Sequence, residues 1–227
     1  MKTWVISLGG SLIIPDSIDF KFLHAFKQKI RKHYKNNKFV IVCGGGSIAR
    51  KYINALRKEK HTEKELSLAG IRATRMNALF LMQLFGKEAN DALPHDMEGV
   101  KDMLAKNNVV ICGALRYAPD STSDGTSAKL AHHLKTGFIN MTNIKGLYSD
   151  NPLTNKKAIF IPWESWKDFE RRANNLSYKA GQHFVLDQKA STIIREYKIP
   201  TYIIGRDLKN IDKILNRKKF TGTLISN

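Results

Sequence analysis

The amino-acid sequence predicts an α/β fold, a three-layer sandwich in which a largely parallel central sheet is covered by helices on both faces. Two observations carry this expectation. Short apolar runs rich in Val and Ile alternate along the chain with longer amphipathic stretches, the order that generates strands and crossover helices. The residues that follow the first three such strands begin with glycine, as Gly9-Gly10-Ser11, Gly44-Gly45-Gly46 and Gly113. These positions are the carboxyl ends of strands, where open parallel sheets bind their ligands.

Taken in order, "TWVISL" predicts a strand over 3–8, and "GGS" a turn. Phe22, Leu23, Phe26 and Ile30 recur at helical spacing and predict a helix over 19–34. "KFVIVC" gives a second strand over 38–43, then three glycines and a helix over 47–58. Leu66, Ala69, Thr74, Ala78, Leu81 and Phe85 form one stripe of a long helix over 65–85. A short helix over 97–106 leads into the strand "NVVIC", 108–112, and a polar loop separates it from a helix over 124–136. "GFINMT" is a strand over 137–142, followed by a hairpin around 150–160, a helix over 187–196 and the strand "TYIIG", 201–205. A last helix and the short strand "GTLI" complete the pattern. With no internal repeat and no Pro-, Gly- or Ser-rich linker, residues 1–227 read as a single domain.

Composition excludes several classes. A hydrophobic fraction of 42% with 9% aromatics is that of a globular chain, not a disordered one. No apolar run reaches the ~18 residues of a membrane span, and Gly9-Gly10 interrupts the first apolar run with no small-residue cleavage site after it, so it reads as a strand rather than a signal peptide. Cys43 and Cys112 end two apolar runs and read as reduced strand-end thiols of a cytoplasmic protein. No Cys or His pair has ligand spacing, so no metal site of the protein's own is expected, and His132 and His133 read as helix-surface residues. The formal net charge of +18 is compatible with phosphorylated ligands, nucleic acid or a Lys-rich solvated surface, because the lysines are spread along the chain.

The glycine turns hold the chemistry. In "IVCGGGSIARKYI" three glycines separate a strand from a helix that carries Arg50. Such a turn either only reverses the chain or offers bare N–H groups to an anion. Two of them at strand ends of one sheet, with Arg50 in the first turn of the helix after the second, favour phosphate. Neither matches the Walker loop or the dinucleotide fingerprint. Arg50 has a surface-cation alternative, and Asp124 has a plain helix N-cap reading.

In this order the pieces "SLGGS" (7–11), "VCGGGSIARKYI" (42–53), "GIRATRMNA" (70–78), "STSD" (121–124), "TNIKGLY" (142–148), "KAGQHFVLDQKA" (179–190) and "ILNRKKFTGTLI" resemble the amino acid kinase family, and within it the archaeal-type UMP kinases, over almost the whole chain. The resemblance implies transfer of the γ-phosphoryl of ATP to UMP, giving UDP for pyrimidine nucleotide synthesis, with Mg²⁺ carried by ATP. It places Ser7, Gly9, Gly10, Ser11, Gly46, Arg50, Thr142, Asn143, Tyr148 and Asn151 on the ATP side. Gly45, Ser67, Thr74, Ala114, Leu115, Arg116, Tyr117, Ser121 and Thr122 fall on the UMP side, and Arg50, Asp124 and Asp187 take the catalytic positions. It also implies a homo-oligomer, a hexamer. A membrane partner is not expected for want of an apolar span, and nucleic acid is disfavoured because the basic stretch "HYKNNKF" shows little interleaving of aromatics. Because the acceptor is already a phosphate oxyanion, no catalytic base is required, which fits the lack of a Ser-His or Cys-His pair.

The pattern departs from the family in places. Ser7 stands where many members carry a first-turn Lys, Ser67 where an Asp is expected, and Asn151 replaces the Asp of "D-P". Lys145 replaces the Asp of "V-D-G" and is a candidate for the missing cation. The loop "GALRYAPDSTSD" is longer than usual, and "GQHF" replaces a run of small residues. Two rival readings follow. A kinase of another small phosphate, such as isopentenyl phosphate, is disfavoured because no His follows the second glycine turn. A non-catalytic nucleotide- or RNA-binding relative is disfavoured because Arg50 and Asp124 are both present.

Overall fold

The computed structural model describes residues 1–117, 122–175 and 186–227. Its elements follow in chain order as β1 (Lys2–Leu8), α1 (Gly10–Ile13), α2 (Phe20–Arg31), β2 (Asn37–Cys43), α3 (Gly46–Lys58), α4 (Glu63–Phe85), α5 (Met97–Lys106) and β3 (Val109–Cys112). Then come α6 (Ser123–His133), β4 (Phe138–Met141), β5 (Leu147–Tyr148), β6 (Phe160–Ile161), β7 (Trp163–Ser165), α7 (Trp166–Asn174), α8 (Gln188–Glu196), β8 (Thr201–Ile204), α9 (Lys209–Leu215) and β9 (Thr223–Ser226). Seven strands form one sheet in the order β3-β2-β1-β4-β8-β9-β7. Among the described strand pairs of this sheet only β8–β9 is antiparallel.

Both faces of the sheet are covered, which is why its strands are continuous apolar runs without alternation. On one face Ile6, Leu8, Phe39, Ile41 and Ile139 pack against Leu12 of α1, Phe22, Leu23 and Phe26 of α2, Leu81 and Phe85 of α4, and Ile211 of α9. On the other, Val5, Val40, Val42, Val110 and Phe138 pack against Val100 of α5, Leu130 of α6, Phe169 of α7 and Ile194 of α8. Edge strand β3 is partly closed by the buried Asn90, whose side chain donates to the Ile111 carbonyl (3.0 Å) and accepts from the Ile111 N–H (2.6 Å).

Four features differ from the sequence expectation. The "GGS" turn continues as the single-turn helix α1, because Leu12 and Ile13 are drawn into the core. The hairpin strands flank residues 150–160 instead of filling them: β5 and β6 pair as Leu147↔Ile161 and Tyr148↔Phe160. Between them the turn is tied by its own side chains, with Asp150 accepting from the Asn151 N–H and the Asn155 amide, both at 2.7 Å. Strand β7 and helix α7 went unread, although Ser165, which accepts from the Asp168 N–H at 3.1 Å and donates to its carboxylate, is a helix-start signal. As expected for a helix surface, His132 at the end of α6 is exposed, and its ring stacks on Tyr197 with centroids 3.5 Å apart.

Candidate active site

The carboxyl ends of β1, β2, β3 and β4 open into a cleft of about 400 Å³, a size suited to small ligands. At its centre the two glycine turns meet backbone to backbone. A Cβ on Gly10 would lie 1.9 Å from the Gly46 nitrogen, and one on Gly44 2.4 Å from the Gly10 nitrogen. Gly46 is also held at φ +65°, a left-handed conformation that favours glycine. The close approach that requires these glycines is therefore first of all that of the two turns to each other. The Gly44 N–H is bonded to Leu8 and that of Ser47 to Ile14. Those of Gly10, Ser11 and Gly46 open α1 and α3, so they have no acceptor inside their own helices. All three residues line the cleft.

Sheet order divides the cleft into two arms around this centre. Over β2 and β3 lie Ala49, Arg50 and Ile53 of α3, then Ser67, Gly70, Ile71 and Thr74 of α4, and Ala114 after β3. The α4 residues recur at one-turn spacing and so share a face. Over β4 lie Thr142, Asn143 and Ile144, with Asn151, Leu153 and Thr154 of the β5–β6 turn. Among the described residues lining the cleft, Arg50 is the one cation and Asp124 the one anion. No carboxylate stands within ion-pairing distance of Arg50 among the described residues.

Asp124 sits in the first turn of α6 and accepts from the Ser7 hydroxyl at 2.8 Å. It is partly open to the cleft, with protein crowding it from behind. Burial raises its pKa, the neighbouring Asp187 raises it further, and hydrogen bonds from Ser7 and Thr122 oppose the shift. Asp187 is 2% exposed and does not line the cleft. One of its oxygens accepts from the Thr122 N–H (2.6 Å), the Thr122 hydroxyl (2.7 Å) and the Gly125 N–H (3.2 Å). The other caps α8 through the Ala190 N–H at 2.6 Å. One carboxylate thus binds the starts of α6 and α8 together and reaches the cleft through Thr122.

Of the positions taken from the resemblance, Gly9, Gly10, Ser11, Gly45, Gly46, Arg50, Ser67, Thr74, Ala114, Thr122, Asp124, Thr142, Asn143 and Asn151 all line the cleft. Ser7 is buried beneath it. Leu115 is buried behind the loop after β3, and the exposed Arg116 faces Asp96 at 3.6 Å. Tyr117 and Tyr148 are not lining residues, and Ser121 lies outside the described residues, as does most of "KAGQHFVLDQKA". Lys145, the candidate for the missing cation, is not among the residues lining the cleft; its ammonium lies 4.5 Å from the ring centre of Phe160 and 5.8 Å from that of Tyr148. The position of the absent first-turn Lys is instead neutral, with the Ser7 hydroxyl bonded to Asp124.

Sequence reasoning missed the residues of α4 that hold the loops. Within "GIRATRMNA" the resemblance marks only Thr74 as a site residue. In the fold Thr74 accepts from the Ala114 N–H at 2.9 Å, Arg75 Nε donates to the Ala114 carbonyl at 3.1 Å, and Arg75 Nη2 donates to that of Leu115. Two residues on, the buried Asn77 donates to the Gly44 carbonyl at 2.8 Å. A buried Asn on an otherwise apolar stripe was the available signal, since such a group must find a partner.

Comparison with known proteins agrees with this geometry. The family model of the amino acid kinase family matches residues 2–205. A uridylate kinase of Thermoplasma volcanium is 35% identical over 222 residues, covering 97% of this chain and 96% of that one. A uridylate kinase of Archaeoglobus fulgidus is 33% identical, covering 98% and 99%. The crystal structure of the uridylate kinase from Archaeoglobus fulgidus superposes with a TM-score of 0.84 at 31% identity over the full length of both chains. That of the UMP kinase from Bacillus anthracis gives 0.80 at 22% identity, covering 99% and 96%, and shares the fold. With the glycine turns, Arg50 and Asp124 gathered in one cleft, the chain belongs to the amino acid kinase family.

Proposed function

We propose that this chain is a UMP kinase, transferring the γ-phosphoryl of MgATP to UMP in pyrimidine nucleotide synthesis, with residues 1–227 acting as one catalytic domain. The observation that carries this reading is the two-armed cleft whose arms meet at paired glycine turns, in a chain similar over its whole length to uridylate kinases. UMP occupies the α3–α4 arm, against Gly45, Ser67, Thr74, Ala114 and Thr122, with the loop through Leu115, Arg116, Tyr117 and Ser121 around it. ATP occupies the arm lined by Thr142, Asn143 and Asn151, near Tyr148, with its phosphates against Gly9, Gly10, Ser11 and Gly46. Mg²⁺ enters as part of the MgATP substrate.

Transfer brings two polyanions together, so the protein's work is positioning and neutralising charge. Arg50, without a carboxylate partner among the described residues, is available to the phosphoryl group as it moves. The acceptor oxygen is already anionic and needs no base. The carboxyl of Asp124 loses its proton more readily once a cation approaches it, and Ser7 fixes its orientation. Asp187 acts through Thr122 as a positioning residue. No described helix is long and apolar enough to cross a membrane. The free buried thiols Cys43 and Cys112 suit a reducing compartment, and we place the enzyme in the cytoplasm. A homo-oligomer, hexameric by the family resemblance, completes the proposal, with the exposed Tyr52, Met76 and Leu79 of α3 and α4 available to be covered.

Incubation with MgATP and each of UMP, CMP, dUMP, GMP, AMP and isopentenyl phosphate tests the reading. UDP formed in strong preference to every other product is the expected result. Preferred turnover of another acceptor discards uridine and keeps the kinase; no transfer at all by folded, ATP-binding protein discards catalysis.

A further inference from the structure

We infer that Arg75 is a positioning residue for the acceptor arm: its guanidinium sets the height of the loop after β3 above α4, and so the fit of the acceptor nucleotide, without touching either substrate. The inference rests on the UMP kinase reading for the identity of the acceptor. Its geometric basis is independent of that reading.

Helix α4 meets the cleft through four hydrogen bonds to main chain, made by Thr74, Arg75 and Asn77. Thr74 and Arg75 together hold both polar groups of the Ala114 peptide, the N–H on the Thr74 hydroxyl (2.9 Å) and the carbonyl on Arg75 Nε (3.1 Å), while Arg75 Nη2 takes the Leu115 carbonyl. The Thr74 hydroxyl is itself fixed by donating to the Ile71 carbonyl at 2.7 Å. Only glycine fits beneath, since a Cβ on Gly113 would lie 2.6 Å from the Arg75 nitrogen and from the Thr74 hydroxyl oxygen. Asn77 holds the Gly44 carbonyl in the turn that both arms share. One helix therefore fixes two loops, and Arg75 fixes only the one confined to the α3–α4 arm.

The residue type matters. A guanidinium presents its donors in a rigid planar fork, so it fixes the geometry of two successive carbonyls more strictly than the rotatable ammonium of a Lys. No described carboxylate pairs with Arg75, so its charge is directed at the loop. Being exposed, Arg75 can be replaced without opening the core.

Steady-state kinetics of Arg75→Ala and Arg75→Lys with UMP and MgATP varied separately tests this, alongside amide hydrogen exchange and melting temperature. For Arg75→Ala the expected result is a KM for UMP raised about tenfold or more, since small misplacements of positioning groups have effects of that order. The KM for ATP stays within about twofold and kcat changes little, as for loss of uniform binding to one substrate. Exchange quickens at Leu115 and Tyr117 while the rest of the chain and the melting temperature hold, and Arg75→Lys falls between. Asn77→Ala, which releases the shared turn, raises both KM values. Equal changes in both KM values for Arg75→Ala, or unchanged kinetics and exchange, overturn the inference. If wild-type protein does not phosphorylate UMP, the functional reading fails separately, and the exchange at Leu115 and Tyr117 still decides whether Arg75 holds the loop.

Discussion

Arg50 and Asp124 bring opposite charges into one cleft, and each supports a distinct prediction. If Arg50 meets the phosphoryl group in flight, Arg50→Ala lowers kcat on the order of 10²–10³, as for removal of a preorganised transition-state donor. Its fold and ATP binding survive; a variant with wild-type turnover removes Arg50 from the mechanism. Asp124 predicts a pH effect on stability. The fold raises its pKa from the ordinary 3.8 to about 7, so between those two values the folded chain holds a proton that the unfolded chain has released. The stability this contributes is full below the ordinary value and is lost as pH rises through the raised one. Asp124→Asn should therefore flatten the fall in melting temperature between about pH 4 and pH 8 in ligand-free protein, while slowing turnover. A variant that retains the wild-type slope contradicts the assignment. At this scale the sequence exposed residues that line the cleft, because glycines at strand ends and an Arg in the helix after the second turn are written in the chain. It did not expose who holds whom: the Ser7–Asp124 bond spans 117 positions, and the role of Lys145 depended on where two aromatic rings came to rest.

The helices are bounded by side chains that sequence reading half recognised. Asp187 was legible as an acidic site residue, but its work is to cap α6 and α8 at once. Asp187→Ala leaves several buried donors without partners, and a loss of about 3 kcal/mol in chemical unfolding is expected from two caps and their desolvated groups; a loss below about 1 kcal/mol would show that the two helices are held by packing alone. At the other ends, the four non-glycine residues with positive φ among the described residues are all cations: Lys60, Lys135, Lys198 and Arg217, each two positions past the last residue of α3, α6, α8 or α9. Their N–H groups close these helices, as Lys135 does on His132 at 3.0 Å. A cation there suits the helix dipole, but the left-handed backbone costs any residue with a Cβ. Lys135→Gly and Lys198→Gly should each stabilise by about 0.5–1 kcal/mol, read as a rise of about 2 °C in melting temperature. Destabilisation by either would mean that the charge matters more than the backbone. The sequence expectation ends two of these helices at 58 and 196, where α3 and α8 do end. The left-handed residues that close them carry no sequence signal, since such a residue is normally betrayed by Gly or Asn, and α7 was not visible in the periodicity.

The sheet as a whole was readable because its strands, buried on both faces, are unbroken runs of Val and Ile, and because the strand-end glycines coincide with the rule for ligand placement. Its far edge was less so: β7 has three residues, and β9 joins antiparallel to β8, pairings that no local pattern specifies. What the folded chain adds is the joint. Gly10, Gly44 and Gly46 are glycines because the two turns press together, and that contact brings the two arms of the cleft to one point. The direct test of this arrangement is inhibition by a single molecule, uridine and adenosine joined through a chain of phosphates long enough to span both arms. If the arms meet at the glycine turns, the compound competes with both UMP and ATP and binds far more tightly than either nucleotide alone. Competition with one substrate only, at ordinary nucleotide affinity, would contradict the account.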